Sequence, residues 1–239
     1  PDPSRRGKRG IIEAMCGRYA LYSSPEAITR RFGLARAPAP FPPRYNIAPS
    51  QQAPVVRERP GGGRELALMR WGLVPSWSKE PKTSYSTINA MAETVHVKPA
   101  WRAAFRRRRC LVPASGWYEW EETPRGKRPW FFRPREGGLL ALAGIWERWG
   151  EGEEAFDSYS VIVTDANALA KRIHRRMPVV IAPEDYGFWL DPAVTEPQAL
   201  RPLLAPCPPD WLEAYPVSAR VNSPRNDDPA LVEPAPPEA

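Results

Sequence analysis

The chain has 239 residues, 42% of which are hydrophobic, and it carries a formal net charge of +7. This length suits one large domain or two small ones, and no apolar run approaches the roughly 20 residues of a membrane-spanning helix. The three cysteines, Cys16, Cys110 and Cys207, include no CxxC pair, which argues against a disulfide framework and a structural zinc site. We expect neither a metal nor a cofactor.

The excess of basic residues, mostly arginine, favours a phosphate-bearing partner, because Lys and Arg release the counterions condensed on a nucleic acid. A GC-rich genome, which favours arginine and proline, is the other explanation, since the chain also has 31 prolines. The cysteine pattern fits a reducing compartment and therefore predicts a cytoplasmic protein.

The first half of the chain predicts three elements behind a flexible basic extension, residues 1–14, which lacks the apolar segment of a signal peptide. Ser24 is a suitable helix N-cap, Pro25 suits the first helical position, and Gly33 can end the helix. In order, the elements are a strand over residues 17–22, the helix that begins at Pro25, and a hairpin of residues 54–57 and 65–71.

The second half of the chain predicts more strands than helices. Strands are expected over residues 110–113, 117–121, 130–133, 139–146, 158–164 and 178–181. Short helices are expected over residues 98–107, 166–173, 183–190 and 197–204, and a frayed tail over residues 229–239. Because the helices do not alternate with the strands as βαβ units, the pattern indicates a single-domain α+β fold with a mainly antiparallel sheet.

Cys16 is the first candidate for chemistry, because it follows Met15 at what looks like a translation start. If Met15 is removed, Cys16 presents an amine and a thiol on adjacent carbons. An α-amine has an ordinary pKa of about 8, so part of it is neutral at pH 7 and can attack an aldehyde to form an imine. The thiol can then close a five-membered thiazolidine ring. An ordinary buried cysteine is the other interpretation.

Three further side chains suit acid–base or hydrogen-bonding roles. Glu119 is flanked by aromatic residues, where loss of solvent would favour its protonated form. His174 stands beside two arginines at a predicted helix-to-strand junction and can move protons or meet a phosphate. The amide of Asn89 can both donate to and accept from a sugar. Structural roles are open for each of them: a solvated strand position, a helix cap or a local hydrogen-bond partner.

Basic and aromatic residues offer further candidates for contact with DNA. The arginine run at residues 106–109 is either a solvated face or a track for phosphates. Trp77 follows a proline and a serine in a loop-like stretch, where an exposed indole can stack on a base. Most tryptophans in a chain of this size are buried, and His96 is expected to be structural.

Seven short motifs follow one another along the chain. They are Met-Cys-Gly-Arg-Tyr at 15–19, Arg-Tyr-Asn-Ile-Ala-Pro at 44–49, Trp-Gly-Leu-Val-Pro-Ser-Trp at 71–77, Ile-Asn-Ala at 88–90, Arg-Arg-Cys-Leu-Val-Pro-Ala at 108–114, Gly-Trp-Tyr-Glu-Trp at 116–120 and Ile-His-Arg-Arg-Met-Pro at 173–178. One such motif alone is weak evidence for a protein family, but the whole set in this order is specific evidence. It resembles the SRAP (SOS response-associated peptidase) family over residues 15–233, which leaves residues 234–239 as a short tail.

The resemblance implies a distorted, mainly antiparallel β-barrel-like sheet with short flanking helices and a basic groove for single-stranded DNA. It implies that Cys16 bonds covalently, as a thiazolidine, to the ring-opened sugar of an abasic site and so shields the lesion. Asn89 would hold the sugar and the Cys16 amine, Glu119 would move protons, and His174 would assist ring opening and the reverse reaction. DNA contacts are implied for Arg18, Asn46, Pro49, Trp77, Thr164 and Arg176.

The same resemblance implies lyase-type chemistry and a peptidase activity that frees the protein's own cysteine by removing the preceding residue. It also implies a preference for junctions between single-stranded and duplex DNA, and association with the bacterial nucleoid when bound. A monomer is expected, because no amphipathic interface stripe stands out in the sequence.

Two features depart from the family pattern. Met91 stands where the family usually has an arginine, and loss of that charge should weaken phosphate binding unless Arg102 or Arg175 compensates. The extension over residues 1–14 is the second, because the Cys16 nitrogen is an amide for as long as any residue precedes it.

Two other classes of function stay open from the sequence. In an N-terminal-nucleophile hydrolase, such as a glutamine amidotransferase, the thiol of Cys16 would attack an amide with its own amine as the base. In a non-covalent single-strand DNA binder, Cys16 would be inert.

Overall fold

Two β-sheets carry most of the chain in the computed structural model, which describes residues 16–83 and 86–236. Within those residues the strands are β1 (Tyr19–Leu21), β2 (Arg44–Ile47), β3 (Gln52–Glu58), β4 (Arg64–Trp71), β5 (Asn89–Met91), β6 (Arg109–Ala114), β7 (Gly116–Thr123), β8 (Gly126–Pro134), β9 (Leu140–Trp149), β10 (Phe156–Asp165), β11 (Arg176–Pro178) and β12 (Leu212–Pro216). The α-helices there are α1 (Pro25–Phe32), α2 (Arg102–Arg107), α3 (Tyr186–Leu190) and α4 (Pro197–Leu200).

The smaller sheet has the strand order β12-β8-β7-β1-β2, and its pairings are antiparallel. The larger sheet, in the order β11-β10-β4-β3-β6-β9, bends back on itself because β9 also pairs with β10. Strands β10, β4, β3, β6 and β9 therefore close into an irregular ring, while β10 pairs in parallel with both β4 and β5. This arrangement confirms the predicted α+β, single-domain, barrel-like fold.

Aromatic side chains join the two sheets inside this ring. Tyr19 of β1, Trp71 of β4 and Tyr159 of β10 are each at most 1% exposed. The hydroxyls of Tyr19 and Tyr159 are 2.8 Å apart, and the indole of Trp71 packs edge-on against Tyr19 and stacks on Tyr159. Burial of such large apolar surfaces dominates the stability of a core, so this cluster fixes where β1 enters the barrel.

Helix α1 follows the predicted local signals. The hydroxyl of Ser24 accepts a hydrogen bond from the Ala27 amide at 3.3 Å, and Gly33 adopts a left-handed φ of 61° at the other end. Ile28 and Phe32 are fully buried against the core. Among the described residues, no helix has the length and apolar character needed to span a bilayer.

The segment after β10 differs from the prediction of a helix over residues 166–173 and a strand over 178–181. Only a 3-10 turn, Ala170–Arg172, forms there, because the side chain of Asn167 accepts from the Ala170 amide and donates to the Cys207 carbonyl. These local bonds replace the repeating pattern of an α-helix. The next strand, β11, begins earlier than predicted, at Arg176, which pairs with Asp165.

The tail is ordered further than the sequence predicted. Instead of fraying from Pro229, the chain forms a 3-10 turn over Pro229–Val232 that buries Leu231 completely. Pro234 then bridges Val217, so residues after the turn lie against the smaller sheet. The predicted extension over residues 1–14 falls outside the described residues.

The close approach of β7 and β8 should be sensitive to one added methyl group. A Cβ at Gly116 would overlap the Phe132 carbonyl oxygen and the Phe131 ring. We expect Gly116→Ala to lower the free energy of unfolding by about 1–3 kcal/mol in urea denaturation. Gly187→Ala is the control, because the nearest atom to its new Cβ, Arg64 Nη2, is 3.7 Å away. Equal stabilities of the two variants would contradict the tight packing at Gly116.

Candidate active site

The pairing of β1 with β7 brings Cys16 beside Glu119. Tyr19 pairs with Trp117 in an antiparallel register, and continuing that register places Glu119 opposite residue 17. Side chains alternate along a strand, so Glu119 shares the inward face of Trp117. Cys16 is 4% exposed and Glu119 is 1% exposed. The smaller sheet thus holds a cysteine and a carboxyl group together out of contact with water.

The carboxyl group of Glu119 lies between a thiol and an imidazole. Cys16 Sγ donates to Glu119 Oε1 at 2.6 Å, and the backbone N–H of Cys16 also bonds to this carboxyl group. The second carboxyl oxygen, Oε2, is 3.9 Å from His174 Nδ1. One acidic group therefore contacts both the nitrogen and the sulfur of Cys16 and faces a histidine.

Burial controls the protonation of this cluster. It raises the pKa of Glu119 to about 8, although the hydrogen bonds from Cys16 oppose the shift. Burial also raises the pKa of the Cys16 thiol well above its ordinary value, and the neighbouring Glu119 adds to that effect. A carboxyl group with a pKa near neutral can both give and take a proton at working pH.

His174 is oriented by the backbone of β11. Its Nδ1 lies 3.1 Å from both the amide nitrogen and the carbonyl oxygen of Arg176. Which of the two it bonds depends on the ring nitrogen that carries the proton. The His174 side chain is 15% exposed, so it can exchange protons with a ligand on one side and Glu119 on the other.

A cavity of about 650 Å³ opens above this cluster. The predicted site residues in its wall are Arg18, Pro49, Glu119 and His174. Its wall also holds residues that sequence reasoning did not assign to the site: Gly17, Ile88, Trp120, Glu121, Glu122, Lys127, Arg172, Ile173, Arg175 and Asn222. Of these residues, only Arg175 was named from the sequence, as a possible substitute for the missing arginine, and the basic residues around His174 could also have indicated Arg172.

Arg18 is held at the cavity by a buried network beneath it. Its Nη1 donates to Asn46 Oδ1 at 2.9 Å and to the Val221 carbonyl at 2.7 Å. Asn46 is fully buried, and its amide donates to the carbonyls of Val221, Ser223 and Asn226. Asn46 does not reach the cavity wall, so the structure places it behind Arg18.

Arg176 is also buried, at 7% exposed, and is surrounded by acidic groups. It pairs with both oxygens of Glu93, at 2.9 and 2.6 Å, and with Asp165 at 2.5 Å. The sulfur of Met91 lies 3.4 Å from its Nη2. Arg176 thus clamps together β5, β10 and β11, the strands that lead to Asn89, Thr164 and His174.

The remaining predicted residues are not part of the cavity wall. Asn89 pairs with Val161 and is half-buried on β5, and Thr164 is buried on β10. Trp77 is 63% exposed in the turn after β4. Arg175 lies in the cavity wall, whereas Arg102, the other possible substitute for the missing arginine, begins α2 outside it. In the described part of the chain, no cluster of His, Cys, Asp or Glu suits a metal ion.

A buried cysteine that shares a carboxyl group with a histidine, beneath a cavity with four basic side chains in its wall, defines the site. A family model described as SOS response associated peptidase (SRAP) matches residues 15–224, so the chain belongs to the SRAP family.

Relatives agree with this assignment. The abasic site processing protein YoqW of Bacillus subtilis is 39% identical over 92% of this chain and 99% of its own length. The mouse abasic site processing protein HMCES is 31% identical over 92% of this chain and 76% of its own. A crystal structure of a Bacteroides thetaiotaomicron protein, 26% identical, superposes with a TM-score of 0.81 over 92% of this chain and all of the other.

The raised pKa of Glu119 should make stability depend on pH. The folded protein holds this proton up to about pH 8, whereas the ordinary pKa is 4.5. The resulting stabilisation is fully present below about pH 4.5 and is lost as the pH rises through about 8. We expect urea denaturation to show a loss of up to about 1.4 kcal/mol per pH unit in this window.

Glu119→Gln should flatten this dependence, because glutamine does not ionise. Glu122→Gln, on the same strand but exposed, is the matched control and should keep the dependence of the unmodified protein. An identical pH dependence in the Glu119 variant and the unmodified protein would show that this carboxyl group is not the source.

Proposed function

We propose that the protein captures abasic sites in single-stranded DNA by forming a covalent bond with Cys16. The relatives YoqW and HMCES are named abasic site processing proteins, which suggests this substrate. The single observation that carries the mechanism is that the nitrogen and the sulfur of Cys16 both bond to the buried carboxyl group of Glu119. An aldehyde that reaches this point meets both nucleophiles and a proton carrier.

The reaction would proceed in two bond-forming steps. The Cys16 amine adds to the aldehyde carbon of the ring-opened deoxyribose, and loss of one water gives an imine. The thiol then adds to the imine carbon, and its proton passes to the nitrogen. The product is a thiazolidine ring that joins protein and DNA, with no oxidant or reductant consumed. Closure of the ring is fast because the thiol is held next to the imine.

Glu119 and His174 would carry the protons in this sequence. A protonated Glu119 can donate to the leaving hydroxyl during imine formation, and the ionised form can accept the thiol proton. His174, which faces both Glu119 and the cavity, would donate to the sugar ring oxygen as the ring opens. Asn89, on the adjacent strand β5, would position the sugar and the amine.

The amine exists only when Cys16 is the first residue of the reacting protein. In the structure Cys16 has a φ of 38°, in the left-handed region that a non-glycine residue adopts at a cost in free energy. Cutting the preceding peptide bond would relieve this constraint. The protein's own peptidase activity would hydrolyse the bond between Met15 and Cys16, with one water consumed and the Cys16 amine released.

DNA would enter along the basic rim of the cavity. Arg18, Arg172 and Arg175 would meet phosphates, while Pro49 would pack against the bases that flank the lesion. The exposed Trp77 would stack on a base further along the strand. Asn46 and Arg176 would act indirectly, by holding Arg18 and the strands of the site. Binding at junctions with duplex DNA and protection of the lesion are parts of the same proposal.

Capture by Cys16 predicts a defined covalent product. The protein that starts at Cys16 should form a heat-stable adduct with a single-stranded abasic oligonucleotide, with an intact mass equal to the sum of the two less one water. Cys16→Ala should abolish the stable adduct, and Glu119→Gln should slow its formation by about 100-fold, as expected for loss of a proton carrier.

Cys207→Ala, which removes a buried cysteine elsewhere, is the control and should react normally. A stable adduct with Cys16→Ala would refute the mechanism. Equal affinity for intact and abasic strands, without an adduct, would indicate a non-covalent binder. Hydrolysis of glutamine without DNA would indicate an N-terminal-nucleophile hydrolase.

The indirect role of Asn46 can be separated from direct DNA contact by a double-mutant cycle. Arg18→Gln should reduce the salt dependence of single-strand binding, with the slope of log K against log salt falling by about 0.7. Asn46→Ala should lower this slope by a similar amount, because Arg18 is no longer held by its hydrogen bond to Asn46. In the double variant the slope should then fall no further than in either single variant. Fluorescence anisotropy with folded samples measures the three slopes. Additive losses would mean that Asn46 contacts DNA itself.

A further inference from the structure

A second basic cavity lies away from the candidate active site. Its volume is about 380 Å³, and it is formed where the turn after β3, the end of α2 and the end of β9 meet the start of β10. Five arginines and two carboxylates line it: Arg57, Arg59, Arg107, Arg109, Arg148, Glu58 and Asp157. The excess of positive charge marks it as a site for an anion.

The two cavities lie near opposite ends of β10. Asp157, in the wall of the second cavity, is the second residue of this strand. Ala166 follows the last residue of β10, and its amide bonds to the carbonyl of Arg175, which lines the first cavity. Nine residues of extended chain separate Asp157 from Ala166, which corresponds to about 30 Å.

Part of the second cavity is a fixed framework. Arg57 pairs with Glu65 and Asp157, both at 2.8 Å, and its guanidinium lies 4.5 Å from the centre of the Trp146 ring. Arg109 is 2% exposed and donates to the backbone carbonyls of Phe105, Arg106, Trp189 and Asp191. These groups shape the cavity and add positive charge beneath it, but their donors are already used.

Two other arginines in the wall keep their donors for a ligand. Arg59, in the β3–β4 turn, and Arg107, at the end of α2, are exposed. Among residues 16–83 and 86–236, neither forms an ion pair. Within the arginine run at residues 106–109, Arg107 and Arg109 line the cavity, and the donors of Arg109 are taken by backbone carbonyls, so Arg107 is the member that can bind a ligand. A guanidinium group presents parallel N–H donors that match two phosphate oxygens.

We propose that this second cavity binds phosphate groups through Arg59 and Arg107, and that they belong to the DNA strand that continues beyond the lesion. A single strand can extend beyond the 3.4 Å per nucleotide of duplex DNA, so about nine nucleotides or fewer span the distance between the two cavities. A strand held at both points would be fixed in direction across the protein. The choice of DNA over a free polyphosphate rests on the proposed function, whereas the recognition of phosphate by the two arginines does not.

Binding of intact strands tests the proposal without any covalent step. Lesion-free single strands of about 3 and about 20 nucleotides are compared, because three nucleotides cannot span the roughly 30 Å between the cavities even when fully extended. For the longer strand, Arg59→Gln/Arg107→Gln should lower the slope of log K against log salt by about 1.4, since two phosphate contacts are lost. The shorter strand should bind the double variant and the unmodified protein alike.

Arg30→Gln/Arg201→Gln is the matched control, because it removes the same charge from exposed arginines that line neither cavity. The proposal would be overturned if this control lowered the salt slope for the longer strand as much as Arg59→Gln/Arg107→Gln does. It would also be overturned if Arg59→Gln/Arg107→Gln lowered the slope equally for both strand lengths. Either result would mean that only overall charge matters.

Calorimetry with inorganic tripolyphosphate distinguishes the source of the phosphate. If tripolyphosphate binds the unmodified protein but not Arg59→Gln/Arg107→Gln, while the long-strand slopes are equal, a free polyphosphate replaces DNA as the ligand. If neither ligand distinguishes the variant, the site is refuted. The yield of covalent adduct on a short abasic strand reports on Cys16 alone, so failure there leaves the result at the second cavity unaffected.

Discussion

The contact between Cys16 and Glu119 is the constraint on which the site depends. Moving a carboxyl group out of water favours its neutral form, and that is why its pKa rises to about 8. The shift requires β1 and β7 to stay in register, because this pairing keeps Glu119 buried beside Cys16. The pairing of β1 with β7 thus sets the acidity of the group that would carry protons.

The elements with strong local signals were predictable. Helix α1 has its N-cap, first-turn proline and terminal glycine within ten residues, and the hairpin of β3 and β4 has alternating residues around a glycine-rich turn. Three short strands, β2, β5 and β12, were missed. β5 has only three residues and exists through parallel pairing with β10, so its partner lies about seventy residues away and leaves no local pattern.

The site was predictable in residue identity but not in arrangement. The order of motifs indicated Cys16, Glu119 and His174, and the structure brings these three together. No motif indicates that Asn46 is buried beneath Arg18, because its three carbonyl partners come from a segment about 175 residues further along. The second cavity could not be predicted for the same reason, since residues of six separate elements, β3, α2, β6, β9, β10 and α3, line it.

The anchoring of Arg18 by residues near the end of the chain has a consequence for biosynthesis. Arg18 leaves the ribosome early, but Val221 and Asn222, which hold it, emerge more than two hundred residues later. A nascent chain therefore has its cysteine long before it has a complete site. The arrangement around Arg18 therefore cannot form until translation has passed Asn222.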